Sequence, residues 1–142
     1  MYKHVLLATD LLPENTALFD KGVKLAKEWG AKISVVHIVE PLPGYGYAYV
    51  GSADVEDSLI KEAKKQMVEL AKNYGFDIAN TIVDIGPTKT EVVRVAQEKK
   101  ADLIIVGSHG RSGWSLLLGS TATAVLHSAK CDVLTLRLLD RS

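Results

Sequence analysis

The sequence predicts an α/β fold, a parallel sheet with helices packed on both faces. Two observations carry this. Three short runs, "HVLLAT" (4–9), "ISVVHIV" (33–39) and "ADLIIVG" (101–107), are apolar at nearly every position rather than at every second one. Strands of that kind are covered on both faces, as in parallel sheets. The segments between and after them carry apolar residues at helical spacing, so strand and helix alternate along the chain.

The elements follow in order. Residues 4–9 form a strand that stops at Asp10. From Glu14 to Trp29, Ala17, Leu18, Lys21, Leu25 and Ala26 approximate a stripe of period 3.6; Pro13 suits the first turn and Gly30 the end. Residues 33–39 form a second strand, rich in β-branched side chains. From Val55 to Tyr74 the apolar face is Leu59, Ala63, Met67, Leu70 and Ala71, and Gly75 closes it. "ANTIVDI" (79–85) alternates in part, as an outer strand does. Thr88 to Lys99 is a helix through Val92, Val93 and Ala96, and residues 101–107 give the clearest buried strand. Ser120 to Ser128 is a helix carrying Ala124, Val125 and His127. "DVLTLRLL" (132–139) alternates Val133, Thr135 and Arg137 against Leu134, Leu136 and Leu138. In such sheets ligands bind at the carboxyl ends of the strands, where the strand order reverses.

The 142 residues suit a single domain, 1–142, with a full core. Lys plus Arg balance Asp plus Glu, 17 against 17, which gives no electrostatic case for nucleic acid or an anionic membrane as partner. The one cysteine, Cys131, excludes an internal disulfide and fits a reducing compartment. The first apolar run meets Asp10 too early for a signal segment or a membrane span, so a cytoplasmic protein is expected.

The stretch "GSHGRSGWSLLLGSTA" (107–122) asks for chemistry. Gly107, Gly110 and Gly113 allow positive φ and close approach of a ligand to the backbone. Successive N–H groups in such a loop form an anion-binding concavity, and Gly119-Ser120-Thr121 then opens a helix whose N-terminus attracts negative charge. It is not a Walker A loop, and the glycine spacing is not that of the dinucleotide fingerprint. The plain alternative is a surface loop with Ser120 as an ordinary N-cap.

"VLLATD", "VVHIVEP", "ADLIIVGSHGRSG" and "LLLGSTATAVLHSAKCDVLTLR", in that order and spacing, resemble the universal stress protein family over essentially the whole chain. Its nucleotide-binding members share Gly-x-x-Gly, nine residues, then Gly followed by Ser or Thr. Here Gly107, Gly110, Gly119 and Ser120 match, with eight residues (111–118) in the interval. The resemblance implies a Rossmann-like fold, akin to the adenine nucleotide alpha hydrolases, with five parallel strands in order 3-2-1-4-5. It implies ATP as cofactor, with magnesium as a candidate companion. Carried over by position, Ala8, Thr9, Asp10 and Ile38 would contact adenine. Val106 and Gly107 would flank the ribose, and Gly110, Gly119, Ser120 and Thr121 would hold phosphate. A homodimer through the last strand, residues 132–139, is also implied; in that order the strand lies at a sheet edge, which invites pairing.

Several residues admit two readings. Asp10 either orients the adenosine, with or without a metal, or caps the next helix. Arg111 either neutralises a terminal phosphate or is a solvated surface residue. His109 is either a phosphate donor or a solvent-facing loop residue. His37, inside an apolar strand, and His127, beside apolar residues, read as structural, and the four histidines lack metal-ligand spacing. Trp114 and tyrosines 45, 47 and 49 read as cover, contact surface or local packing. Three functions follow: an ATP-binding regulatory protein in stress response with little hydrolysis, a slow ATPase or nucleotidyl transferase, and a nucleotide-free dimer working through protein contacts.

Overall fold

A computed structural model describes residues 1–11, 16–40, 52–107 and 120–136. Five strands, β1 (His4–Ala8), β2 (Lys32–Val39), β3 (Thr81–Ile85), β4 (Leu103–Gly107) and β5 (Asp132–Leu136), alternate with four helices. The helices are α1 (Thr16–Glu28), α2 (Ser52–Tyr74), α3 (Thr88–Glu98) and α4 (Ser120–Ser128). The strands form one sheet in order β3-β2-β1-β4-β5, and all four pairings are parallel. This is the Rossmann-like arrangement expected from the sequence.

Alternation along each strand divides the core into two layers. Val5, Leu7, Val35, Leu103 and Ile105 face Leu18, Phe19, Val23 and Ala26 of α1 and Met67 of α2. Their strand neighbours Leu6, Val36, Ile38, Ile104 and Val106 face Val92, Val95 and Ala96 of α3 and Ala122 and Val125 of α4. Leu6, Val36 and Ile104 are wholly inaccessible, as a strand covered on both faces requires.

Some sequence-based expectations shift. Ala17 and Lys21 are exposed, and the buried stripe of α1 runs through Leu18, Phe19, Gly22, Val23 and Ala26. Gly22 is buried because α1 lies close over β1; a Cβ there would run into Leu7 Cδ1. Leu59 is 42% exposed and belongs to the outer side of α2. Val95, passed over in the sequence reading, is buried on α3, and His127 on α4 is exposed. The third strand begins at Thr81, because Ile78–Asn80 close as a 3-10 turn, the Asn80 N–H bonding the Asp77 carbonyl. Gly30 ends α1 with φ 66°, as its position predicted. Of the last strand's predicted span, residues 137–139 lie outside the described residues.

Candidate functional site

The strand order reverses between β1 and β4. β1 leads outward to β2 and β3, and β4 leads to β5 on the other side. The crevice at their carboxyl ends is therefore the topological switch point. The register sets Leu7 opposite Ile105, so Ala8 and Thr9 leave β1 beside Val106 and Gly107 leaving β4. On the other flank Ala8 pairs with Val36, two residues before Ile38.

Ala8, Ile38 and Val106 come together. Ile38 and Val106 are buried at 5% and 3% exposure in one cluster with Ala122 and Val125 of α4, and Ala8 packs against it. Those three side chains build an apolar floor from three neighbouring strands. Gly107 is half-buried at the end of β4. Ser120 and Thr121 stand in the first turn of α4, whose N–H groups have no partner within the helix and give that end partial positive charge. Gly110, Arg111 and Gly119 lie outside the described residues, as do His109, Trp114 and the three tyrosines at 45, 47 and 49.

Thr9 is buried, and three of its polar groups have internal partners. Its N–H donates to the Val36 carbonyl at 2.9 Å, one step past the strand. Its Oγ1 accepts the Leu11 N–H at 2.9 Å, closing a tight local turn. Its carbonyl accepts from His37 Nδ1 at 2.9 Å. Leu11 follows with φ 61°, a left-handed conformation costly for a leucine. The turn that presents exposed Asp10 is thus held in a sparsely populated shape by bonds on both sides.

Two participants escaped the sequence reading. His37 looked like a packed strand residue, yet its ring is half-buried and spans from β2 to the end of β1. Glu40, just past β2, caps α3 from a distance: its Oε1 accepts from Thr88 Oγ1 at 2.7 Å and from the Thr88 N–H at 3.2 Å. Pro87 at the N-cap position offers no side-chain bond, so the cap comes from a neighbouring strand. The only sequence signal for either was a polar residue at the carboxyl end of a buried strand.

Cys131 is half-buried against the α3/α4 layer, and burial pushes its thiol up, which suits the packing role read from the sequence. Among the described residues no group of three or more His, Cys, Asp or Glu side chains could hold a metal ion. Nor is any helix among them long and apolar enough to cross a membrane.

The model of the universal stress protein family matches residues 1–137. Universal stress protein A homolog 2 of Coxiella burnetii is 46% identical over 140 residues, covering 96% of each chain. Among solved structures, the universal stress protein UspA from Lactobacillus plantarum superposes with a TM-score of 0.79 at 23% identity, over 96% of this chain and 98% of that one. A universal stress protein crystallised in complex with cAMP gives 0.63 at 26% identity, over 96% and 98% of the two chains. Identity at that level over nearly the full length, the family match and the strand order agree: the chain belongs to the universal stress protein family.

Proposed function

We propose that the protein is a regulatory adenine-nucleotide binder of the stress response, with ATP as its ligand and the cytoplasm as its compartment. The observation that carries this reading is the meeting of Ala8, Ile38 and Val106 beneath the switch point, closed from one side by α4. An apolar floor suits the face of a purine, and polar backbone at the strand ends suits its edge. Val106 and Gly107 flank the ribose in this reading. Gly110, Arg111, Gly119 and the first turn of α4 at Ser120 and Thr121 receive the phosphates. The related structure with cAMP supports the choice of an adenine nucleotide.

The residues fit binding better than turnover. His37 and Glu40, polar side chains near the site, are committed to Thr9 and to Thr88. A base aimed at a phosphate would have to come from elsewhere. A magnesium ion would arrive with the phosphates, and Asp10 is the carboxylate at hand to orient it. Hydrolysis is at most slow, and the occupied state itself carries the signal.

The protein works as a homodimer through the last strand, residues 132–139. Among the described residues, β5 pairs with β4 on one side and with no strand on the other. Its Val133, Leu134, Thr135 and Leu136 are only half-buried, and Thr135 Oγ1 is shielded without a hydrogen-bond partner among the described residues. A copy of the strand across a twofold axis would supply backbone partners and cover those side chains. Light scattering at tens of micromolar is expected to give twice the monomer mass, and Leu136→Pro to give the monomer by removing a ladder donor. Wild-type protein of monomer mass contradicts the dimer.

Calorimetric titration tests the nucleotide reading. ATP is expected to bind with Kd of about micromolar order, roughly −8 kcal/mol. Gly119→Val, which puts a branched side chain where the backbone must approach phosphate, is expected to abolish the heat while leaving the fold intact. Absence of heat in both proteins rejects the reading; equal heat in both rejects the phosphate assignment.

A further inference from the structure

We infer that His37 is a positioning residue for the nucleotide: by holding the Thr9 carbonyl on the β2 side, it sets the peptide plane that presents Asp10 to the crevice between β1 and β4. The inference rests on the nucleotide reading and adds to it a residue that touches no ligand atom.

The geometry is specific. A carbonyl oxygen only accepts, so the 2.9 Å contact requires that His37 Nδ1 carry the hydrogen and donate it to Thr9. The Thr9 N–H already points to β2, where it bonds the Val36 carbonyl. The described residues contain no cis peptide bond, so the Thr9–Asp10 peptide is planar and trans. In a trans peptide the C=O and N–H directions are opposed. With the Thr9 carbonyl tied toward β2, the Asp10 N–H is directed away from β2, to the side where Val106 and Gly107 leave β4.

The hold is needed because the chain leaves regular pairing here. The regular pairing of β1 with β2 ends at Ala8 and Val36. Two residues later Leu11 takes a φ of 61°. Between those points the Leu11 N–H bond to Thr9 Oγ1 fixes the far side of the turn, and His37 fixes the peptide within it. Without the imidazole the Thr9 carbonyl loses its anchor to β2 and the Thr9–Asp10 peptide is less firmly set, while the strands below stay paired. A ligand would then have to order that peptide on binding, which lowers affinity.

Asparagine separates positioning from simple packing, because its side-chain amide nitrogen is attached at Cγ, as Nδ1 is in histidine. ATP binding is measured for wild type, His37→Ala and His37→Asn, with amide hydrogen exchange of Asp10 and Leu11 followed in the ligand-free proteins. His37→Ala is expected to weaken ATP binding about tenfold, the equivalent of one lost hydrogen bond, and His37→Asn to recover most of it. The two amides should exchange faster in His37→Ala and return toward wild type in His37→Asn. Both variants lose the ring, so a purely structural role predicts similar affinity losses in both. Equal losses, unchanged affinity in His37→Ala, or unchanged exchange at Asp10 and Leu11 overturns the inference. Wild-type protein that binds no adenine nucleotide overturns the site reading instead, while the exchange comparison still decides what His37 does to the turn. Should His37→Ala not fold, His37→Asn against His37→Leu gives the same contrast.

Discussion

The two ends of the sheet are built differently. At the amino end, side chains tie strands to one another. The Asp102 carboxylate, just before β4, accepts the backbone N–H of Lys3 and His4 on or beside β1, each at 2.9 Å. His4 reaches Ser34 on β2 with Nε2 at 2.7 Å and the Lys99 carbonyl after α3 with Nδ1 at 2.9 Å. Tyr2 donates its hydroxyl to Asp132 at the start of β5, 2.8 Å away. At the carboxyl end, among the described residues, Thr9 Oγ1 closes the turn after β1, His37 ties β2 to that turn, and Glu40 links the end of β2 to α3. Among the described residues the amino end is stitched across four strands, and the carboxyl ends of β1 and β4 form the switch point. In the proposed reading, stability and binding then fall to opposite ends, as in open α/β sheets generally.

That division is open to attack from either side. The largest expected effect comes from Asp102→Ala. It removes two charge-assisted bonds to backbone N–H groups and should lower stability by about 1–3 kcal/mol, read from urea unfolding, with ATP affinity unchanged. A fall in affinity that matches the fall in stability would dissolve the distinction between the ends.

A smaller effect is expected from pH. Burial pushes the His4 imidazole below its ordinary 6.5, outweighing the Lys99 carbonyl, which acts the other way. The ring's role agrees: Nδ1–H donates to a carbonyl, so Nε2 accepts from Ser34 in the neutral form. With the folded pKa below the unfolded one, the unfolded chain takes up the proton more readily. The contribution is therefore full above pH 6.5 and is lost as the pH falls below it. Melting temperature should decline between pH 7 and the acid side of that value, and less so in His4→Asn. An equal decline in both proteins would remove His4 from the account. Asp102 acts lower on the scale: burial alone would raise its carboxyl, but the Lys3 and His4 amides bring it below 3.8. Its contribution persists until the pH falls through that region.

The two margins of the sheet differ as well. On β3, Asp84 is bound by Arg94, which also pairs with Glu91 and Glu98, so this edge carries a charge network. Charges of that kind discourage pairing with another chain. β5 carries Val133, Leu134, Thr135 and Leu136 after its leading Asp132. In the proposed dimer, that contrast favours β5 over β3 as the strand that joins a second copy.

The fold was legible because the strands are apolar on both faces, a pattern that belongs to covered parallel sheets. "ADLIIVG" and "HVLLAT" lie at β4 and β1, the two strands that flank the switch point. Helix faces were less legible. In α1 the spacing of Ala17, Lys21 and Leu25 also approximates 3.6, but the buried side is chosen by contact with β1, where Gly22 lets the helix close on Leu7. Ala8, Ile38 and Val106 were named from family position, and they meet in one apolar cluster. His37 and Glu40 were not legible as partners, because their bonds reach backbone atoms 28 and 48 residues away. No local pattern encodes such distances.

In the proposed function an adenine nucleotide occupies the carboxyl end of β1 and β4. The most direct test of that placement is the nitrogen–proton spectrum of labelled protein as ATP is added. Shifts are expected to concentrate at the amides of residues 8–11, 38–40, 106–107 and 120–122, with Lys3, His4, Ser34 and Asp102 unmoved. Shifts centred on the amino end of the sheet, or no shifts at millimolar ATP, would contradict it.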